Sequence, residues 1–253
     1  MENPRSPLWQ DVYPVRSYDV DARGRLSVAA ICNFLQDAAG CHAQALGVSI
    51  DQLRPLNLTW VLVRMRLELL RDLAWQDRLT IQTWPSHQER LISQRDFLLF
   101  EKDGGEVGRC VTSWVVMDLQ RWRPQRLTAL PEPLPVPDRP RALATLPAKL
   151  EAPAGVTHEQ AFRVGDRDLD RNGHVNNVRY VEWALETVPA QVRNTGRLAA
   201  LDINFTGEAF HAENILAASQ PSNSPQPIFR HVIRRRETGD NLAIAKTAWQ
   251  ALP

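Results

Sequence analysis

A chain of 253 residues, 43% hydrophobic and 23% charged, can bury a substantial core as one large domain or two of ordinary size. A net charge of +1 excludes a strongly basic nucleic-acid binder, and no apolar run approaches the ~20 residues of a membrane span. The opening MENPRSPLWQ lacks the regions of a signal peptide, and Cys32, Cys41 and Cys110 have neither metal-ligand nor framework spacing, so a reducing cytoplasm is expected.

Val12 to Tyr18 alternates as a strand does, and Asp19 to Gly24 reads as a turn. Ser27 then caps a predicted helix from Val28 to about Leu46, with Ile31, Phe34, Leu35, Ala38, Ala39 and His42 near one face and Gly47 as its stop. Four β-rich runs follow: Leu58 to Leu70, Arg78 to Trp84, Leu91 to Glu101 and Val107 to Met117. Asp-Gly-Gly inside Lys102 to Glu106 is a hairpin signal. From Leu130 to Pro153 prolines recur at 131, 133, 135, 137, 140, 147 and 153, which reads as an extended, semi-rigid linker.

The pattern then restarts with a short strand at Phe162 to Val164, a turn, a helix, and strands near Ala199 to Phe205, Asn214 to Ser219, Ile228 to Arg236 and Leu242 to Trp249. Asp19, Asp21, Gly24 and Phe34 recur as Asp168, Asp170, Gly173 and Trp183, each 149 positions later. Leu67, Leu69, Asp77 and Leu79 recur as Ile203, Phe205, Glu213 and Ile215 at 136, and Thr112 and Trp114 as Thr247 and Trp249 at 135. Three runs in one order point to an internal duplication.

The halves differ in DRDLDRNGHVNNVRYVEWALE, from Asp166 to Glu186. Asp170, Asn172 and His174 alternate there, and on an extended approach their side chains would converge on one spot. Asn176 or Asn177 can cap the helix that follows, whose apolar face is Val178, Val181, Trp183, Ala184 and Leu185. Backbone N–H groups at that terminus suit a developing oxyanion. Read singly, Asp170 and Asn172 are turn formers around Gly173 and His174 is a loop histidine. The first copy carries Arg23 and Arg25 where the second has Asn172 and His174, so one site per chain is expected, in the second half.

The run DLDRNGHVNNVRYVEW resembles the signature of the acyl-acyl carrier protein thioesterases, the plant chloroplast type and its bacterial relatives. NLTWVLVRMRLELLRDLAWQDRLTIQTWPS, from Asn57 to Ser86, and the first helix extend the resemblance over most of the chain. It implies an α+β tandem (double) hotdog, each half a long helix wrapped by a curved antiparallel sheet. The expected divisions are an N-terminal hotdog at 1–129 that supplies the acyl pocket, the Pro-rich linker at 130–154, and a catalytic C-terminal hotdog at 155–253. Plant relatives carry a transit peptide, and its absence here suggests a bacterial source and a cytoplasmic location.

The resemblance also implies a catalytic glutamate three positions after an aromatic, which Phe205 and Glu208 match, with Glu213 as a rival alignment. Plant enzymes place a cysteine next; here Ala209 stands there. The expected reaction is hydrolysis of fatty acyl-acyl carrier protein thioesters by Asp170, Asn172, His174 and Glu208, with no metal and no cofactor. In it Glu208 activates water or attacks directly, His174 protonates the leaving thiolate, Asp170 orients His174 or Asn172, and Asn172 with the helix start binds the oxyanion. Acyl carrier protein is the expected partner; no nucleic acid or membrane is expected, and a homodimer is left open. Arg121, Arg123 and Arg126, or Arg234, Arg235 and Arg236, could steer that acidic partner.

Two other functions compete. A hotdog hydratase or dehydratase normally has a proline two residues before the histidine, where this chain has Asn172. A non-catalytic acyl-thioester-binding module would bring a DNA-binding appendage, and no segment reads as one.

Overall fold

A computed structural model describes residues 5–252, so four residues of the opening MENPRSPLWQ, and Pro253, lie outside the described residues. Two compact units emerge: residues up to 63 together with 70–146, and 64–69 together with 147 onwards.

The first unit opens with β1 (Trp9–Pro14), which pairs antiparallel with β3 (Arg78–Glu89) from Trp9↔Thr83 to Pro14↔Arg78. This strand starts and ends earlier than the expected Val12 to Tyr18. The reason is local: Val15 N–H leaves the ladder for Asp77 O, and Asp19 Oδ2 takes Arg16 N–H at 2.9 Å, which turns the chain. Helix α1 (Val28–Ala45) starts where expected, with Ser27 Oγ accepting Ala30 N–H at 3.1 Å. It ends at Gly47, whose φ of 79° an L side chain would resist. Its buried face is Ala30, Ile31, Cys32, Leu35, Ala38, Ala39 and His42.

A single turn, α2 (Ile50–Leu53), has a Ser49/Gln52 capping box and leads to β2 (Leu58–Leu69). Then β3, β4 (Ile92–Glu101) and β5 (Glu106–Asp118) form an antiparallel meander, with three-residue β6 (Arg123–Gln125) on β5. Strand β3 outruns its expected end at Trp84 because a bulge between Pro85 and His87 absorbs the proline, which cannot donate to the ladder.

No helix or strand forms between residues 130 and 157, yet the segment is fastened along its length. Arg141 Nε and Nη2 reach Asp96, a carboxylate with no exposure that also accepts Ala142 N–H at 2.7 Å. Beyond residue 147, in the second unit, Asn204 accepts Leu150 N–H and donates to Ala148 O.

The second unit repeats the plan with β7 (His158–Arg163), α3 (Asn177–Glu186), a short α4 (Ala190–Thr195), and strands β8 (Gly196–Phe205), β9 (Asn214–Pro221), β10 (Ile228–Arg235) and β11 (Asn241–Ala251). Their hydrogen-bonded order is β7-β9-β10-β11-β8, and Arg64–Glu68 of β2 pair with β8. Helix α3 buries Val178, Tyr180, Val181, Trp183 and Ala184 toward β7, β9 and β10. One helix laid on an antiparallel sheet, twice, is the hotdog arrangement the sequence resemblance implies. Among the described residues no helix is long and apolar enough to cross a membrane.

The duplication holds at the level of single bonds. In the first unit Asp21 Oδ1 accepts the N–H groups of Arg23 and Arg25, Gly24 N–H bonds Asp21 O, and Ser27 N–H bonds Asp19 O. In the second, Asp170 Oδ1 accepts Asn172 and His174, Gly173 bonds Asp170 O, and Asn176 bonds Asp168 O. Both units also carry one side-chain motif, Trp114 Nε1–H on Thr112 Oγ1 and Trp249 Nε1–H on Thr247 Oγ1.

Candidate active site

The approach to α3 is a tight turn, which corrects the expectation of an extended segment. Asp170 N–H bonds His174 O at 2.7 Å, Leu169 and Val175 form a bridge, and Gly173 sits at φ 79°. Asp170 causes it: Oδ1 accepts Asn172 N–H at 2.7 Å and His174 N–H at 3.2 Å. An aspartate that hydrogen-bonds the backbone two residues on nucleates such turns. Asp170 therefore acts on Asn172 and His174 through their main chain.

His174 is then presented to the segment after β8. A bridge joins His174 to Phe210, and Val175 N–H bonds Ala209 O at 2.9 Å. Glu208 consequently meets the imidazole, with Oε1 3.3 Å from His174 Nδ1 and both side chains about one-third exposed, at 28% and 32%. Phe210 stands edge-on to the same imidazole at 5.1 Å between ring centroids. Burial raises the Glu208 pKa above the ordinary glutamate range; His174 partly offsets this, and the Asp170 charge adds to the rise. Glu213, the rival alignment, is engaged by another partner: its carboxylate accepts Arg235 Nε–H at 3.1 Å.

At the helix start Asn176 is the cap. Its side chain accepts Val178 N–H at 3.1 Å and its carbonyl accepts Arg179 N–H. Those two donors are therefore spent within the chain, which narrows the backbone groups left for an oxyanion. Among the described residues no cluster of His, Cys, Asp or Glu has the arrangement of a metal site.

The first unit keeps the charge pair and discards the chemistry. Arg25 and Asp72 occupy the positions of His174 and Glu208, with Nη1 and Oδ2 3.6 Å apart, and Arg25 Nη2 also holds Asp21 at 2.8 Å. A guanidinium does not give up its proton near neutral pH, so this pair can bind but cannot shuttle. All three cysteines are free and belong to the first unit. Changing them together to serine or alanine should leave most of kcat; loss of turnover in a folded triple variant would overturn the carboxylate assignment.

Sequence reasoning did not find Phe210, Tyr180 or Arg235. Phe210 had a faint signal, lying two residues beyond Glu208 and hence on its side of an extended segment. Strand alternation sets Arg235 apart from Arg234 and Arg236, but neither it nor Tyr180 shows its main-chain partner, which is distant in sequence.

The acyl-ACP thioesterase N-terminal domain matches residues 7–130, and the C-terminal domain of the same enzymes matches 151–251. Oleoyl-acyl carrier protein thioesterase 1 of Arabidopsis thaliana is 30% identical over 97% of this chain and 76% of its own length. Dodecanoyl-[acyl-carrier-protein] hydrolase of Cinnamomum camphora is 26% identical, over 98% of this chain and 69% of its own length. Among solved structures, an acyl-ACP thioesterase from Bacteroides thetaiotaomicron superposes with a TM-score of 0.88 at 23% identity, covering 98% of this chain and 99% of that one. The 12:0-ACP thioesterase of Umbellularia californica gives 0.81 at 23%, covering 98% and 95%. These two likenesses concern the double-hotdog fold, and the sequence matches carry the rest: the chain belongs to the acyl-ACP thioesterase family.

Proposed function

We propose that Glu208 and His174 carry out the thioester hydrolysis of this enzyme, with Asp170 and Asn172 in support, on fatty acyl chains carried by acyl carrier protein. The observation that supports it most is the 3.3 Å separation of His174 Nδ1 and Glu208 Oε1 in a turn held by Asp170. A carboxylate with a raised pKa is a better proton acceptor than an ordinary one.

In this reading Glu208 takes a proton from water, whose oxygen attacks the thioester carbonyl carbon. The carbonyl oxygen becomes an oxyanion, and Asn172 Nδ2–H donates to it, a contribution of about 3 to 4 kcal/mol for a good donor. Collapse breaks the C–S bond, the proton held by Glu208 passes to His174 across the 3.3 Å contact, and His174 donates a proton to the departing sulfur, leaving a free fatty acid, a carrier thiol and the Glu208 carboxylate. In the alternative, a Glu208 carboxylate oxygen bonds the carbonyl carbon and expels the thiolate, which His174 protonates, leaving an acyl-glutamyl anhydride that water then hydrolyses to the free acid and Glu208. Ala209 leaves no thiol beside Glu208.

The carrier is acidic, and among the two arginine clusters the first is the better suited to meet it. Arg121, Arg123 and Arg126 are exposed, whereas Arg235 is held by Glu213, Asp240 and Glu208 O, and Arg234 Nε by Asn241. A bacterial cytoplasm is the proposed location, supported by the three free thiols. The test is thiol release from carrier protein thioesters of graded acyl length, beside a short uncharged thioester. We expect hydrolysis of both, with an Arg121/Arg123/Arg126→Ala variant losing kcat/KM on the carrier substrate alone and in a salt-dependent way. No thiol release from any carrier thioester would refute the substrate; equal losses on both substrates would refute the steering.

A further inference from the structure

We infer that Tyr180 and Arg235 are positioning residues that hold Glu208 at His174 by clamping one peptide group; the inference rests on the Glu208 reading above. The Glu208 carbonyl and the Ala209 N–H belong to a single planar peptide and point in opposite directions. Arg235 Nη2–H donates to Glu208 O at 2.9 Å, and Ala209 N–H donates to the Tyr180 hydroxyl oxygen at 3.0 Å. The plane from which the Glu208 side chain departs is thereby gripped on both edges. Neither grip is loose: Tyr180 is 2% exposed in α3, and Arg235 is anchored by Glu213 at 3.1 Å and Asp240 at 3.3 Å.

The duplicated half supplies an internal control. It makes the same turn, with Leu26 N–H on Leu73 O where the second unit has Val175 N–H on Ala209 O. At the Tyr180 position it carries Ile31, 149 residues earlier, which is equally buried and offers no hydroxyl. At the Arg235 position, fixed by the pairs Leu79↔Glu101 and Ile215↔Arg235, it carries Glu101, which cannot donate to a carbonyl. The fold therefore forms without either group. The clamp occurs in the half that bears Glu208 and His174 and is lacking in the half that bears Asp72 and Arg25. A displacement of about 1 Å at a reacting group can cost on the order of 100-fold in rate, so a fixed peptide plane has catalytic value.

The experiment compares Tyr180→Phe, Arg235→Met and Arg235→Lys with Glu208→Gln and with Ile203→Val, a core change on β8 as a stability control. Tyr180→Phe and Arg235→Met should lower kcat by about 10- to 100-fold with KM little changed. The acidic pH limb of the charge-neutral Tyr180→Phe should move to lower pH, because a released Glu208 carboxylate gains water and its pKa falls toward the ordinary value. Arg235→Lys, which keeps a donor for Glu208 O, should recover part of the loss. Where Tyr180→Phe does not fold, the Arg235→Lys and Arg235→Met pair decides. Wild-type kcat and pH limb in the clamp variants, beside an inactive Glu208→Gln, overturn the clamp and leave the Glu208 reading standing. Losses matched by Ile203→Val with an unmoved limb also overturn it. An active Glu208→Gln removes the Glu208 reading and the inference together.

Discussion

Glu208→Gln should lower kcat by about 10²- to 10⁴-fold while the chain still folds, because the amide fits the same space but can neither accept a proton nor attack a carbonyl. His174→Ala should give a loss of the same order, and the double variant should lose little more than either single one. Groups that act as a unit are non-additive in this way. The pH profile gives an independent reading. Activity needs the Glu208 carboxylate, and burial raises its pKa, so kcat should begin to fall at a higher pH than an ordinary glutamate, at about 4.3, would allow. Asp170→Asn keeps an oxygen for the Asn172 and His174 N–H groups but removes a negative charge that raises the Glu208 pKa. Its acidic limb should therefore shift to lower pH with the turn intact. An unshifted limb, or a Glu208→Gln enzyme near wild-type rate, would remove Glu208 from the chemistry.

What the sequence made legible follows from range. The caps at Ser27 and Asn176, the stop at Gly47 and the turn glycines Gly24 and Gly173 are local devices, and the chain shows each within a few residues of its effect. The duplication was legible because its spacing survives in both Asp-x-Asp turns and both Thr-x-Trp strands. Glu208 is different: 34 residues separate it from His174, and no periodicity connects them, so the family resemblance had to supply it. Alternation along a strand sets Arg235 on the side opposite Arg234 and Arg236, yet nothing in Arg-Arg-Arg identifies the Glu208 carbonyl as its partner. Tyr180 lies one turn into α3 and is not on the apolar face that the sequence suggests, Val178, Val181, Trp183, Ala184 and Leu185; its hydroxyl has a partner only because the segment after β8 brings Ala209 to it. The single turn α2 and the short α4 are too brief to show a period, and Pro85 hid the length of β3 until its bulge was seen.

Acid should destabilise both units through histidines that the fold locks neutral. His231 has no exposure and a fixed tautomer. Thr187 Oγ1 spends its hydrogen on Ala184 O at 2.7 Å, so it must accept from His231 Nδ1–H, 3.0 Å away. Thr247 Oγ1 already accepts Trp249 Nε1–H, so its hydroxyl hydrogen points to His231 Nε2 at 2.9 Å. A proton at Nε2 would meet that hydrogen and a site without water, and burial lowers the pKa from 6.5 to about 3. His42 is locked likewise. Arg95 Nη1 can only donate to Nδ1 at 2.9 Å, leaving Nε2–H for Ser6 O, and burial with the Arg95 charge lowers its pKa to about 4. For both, the folded pKa lies below the unfolded one, so the unfolded chain binds more protons between them. The stability is fully present above about pH 6.5 and is lost as pH falls through the folded pKa, by about 1.4 kcal/mol per pH unit for each histidine. His231→Phe isolates one of them. At the matching register of the first unit, set by Thr83↔Phe97 and Ser219↔His231, Phe97 is fully buried, so the site accepts a phenyl ring. Between pH 6.5 and 4 the variant should lose about 3 kcal/mol less than the wild type in urea unfolding. Parallel curves for the two proteins over that range would show that His231 carries a proton in the folded state or titrates normally.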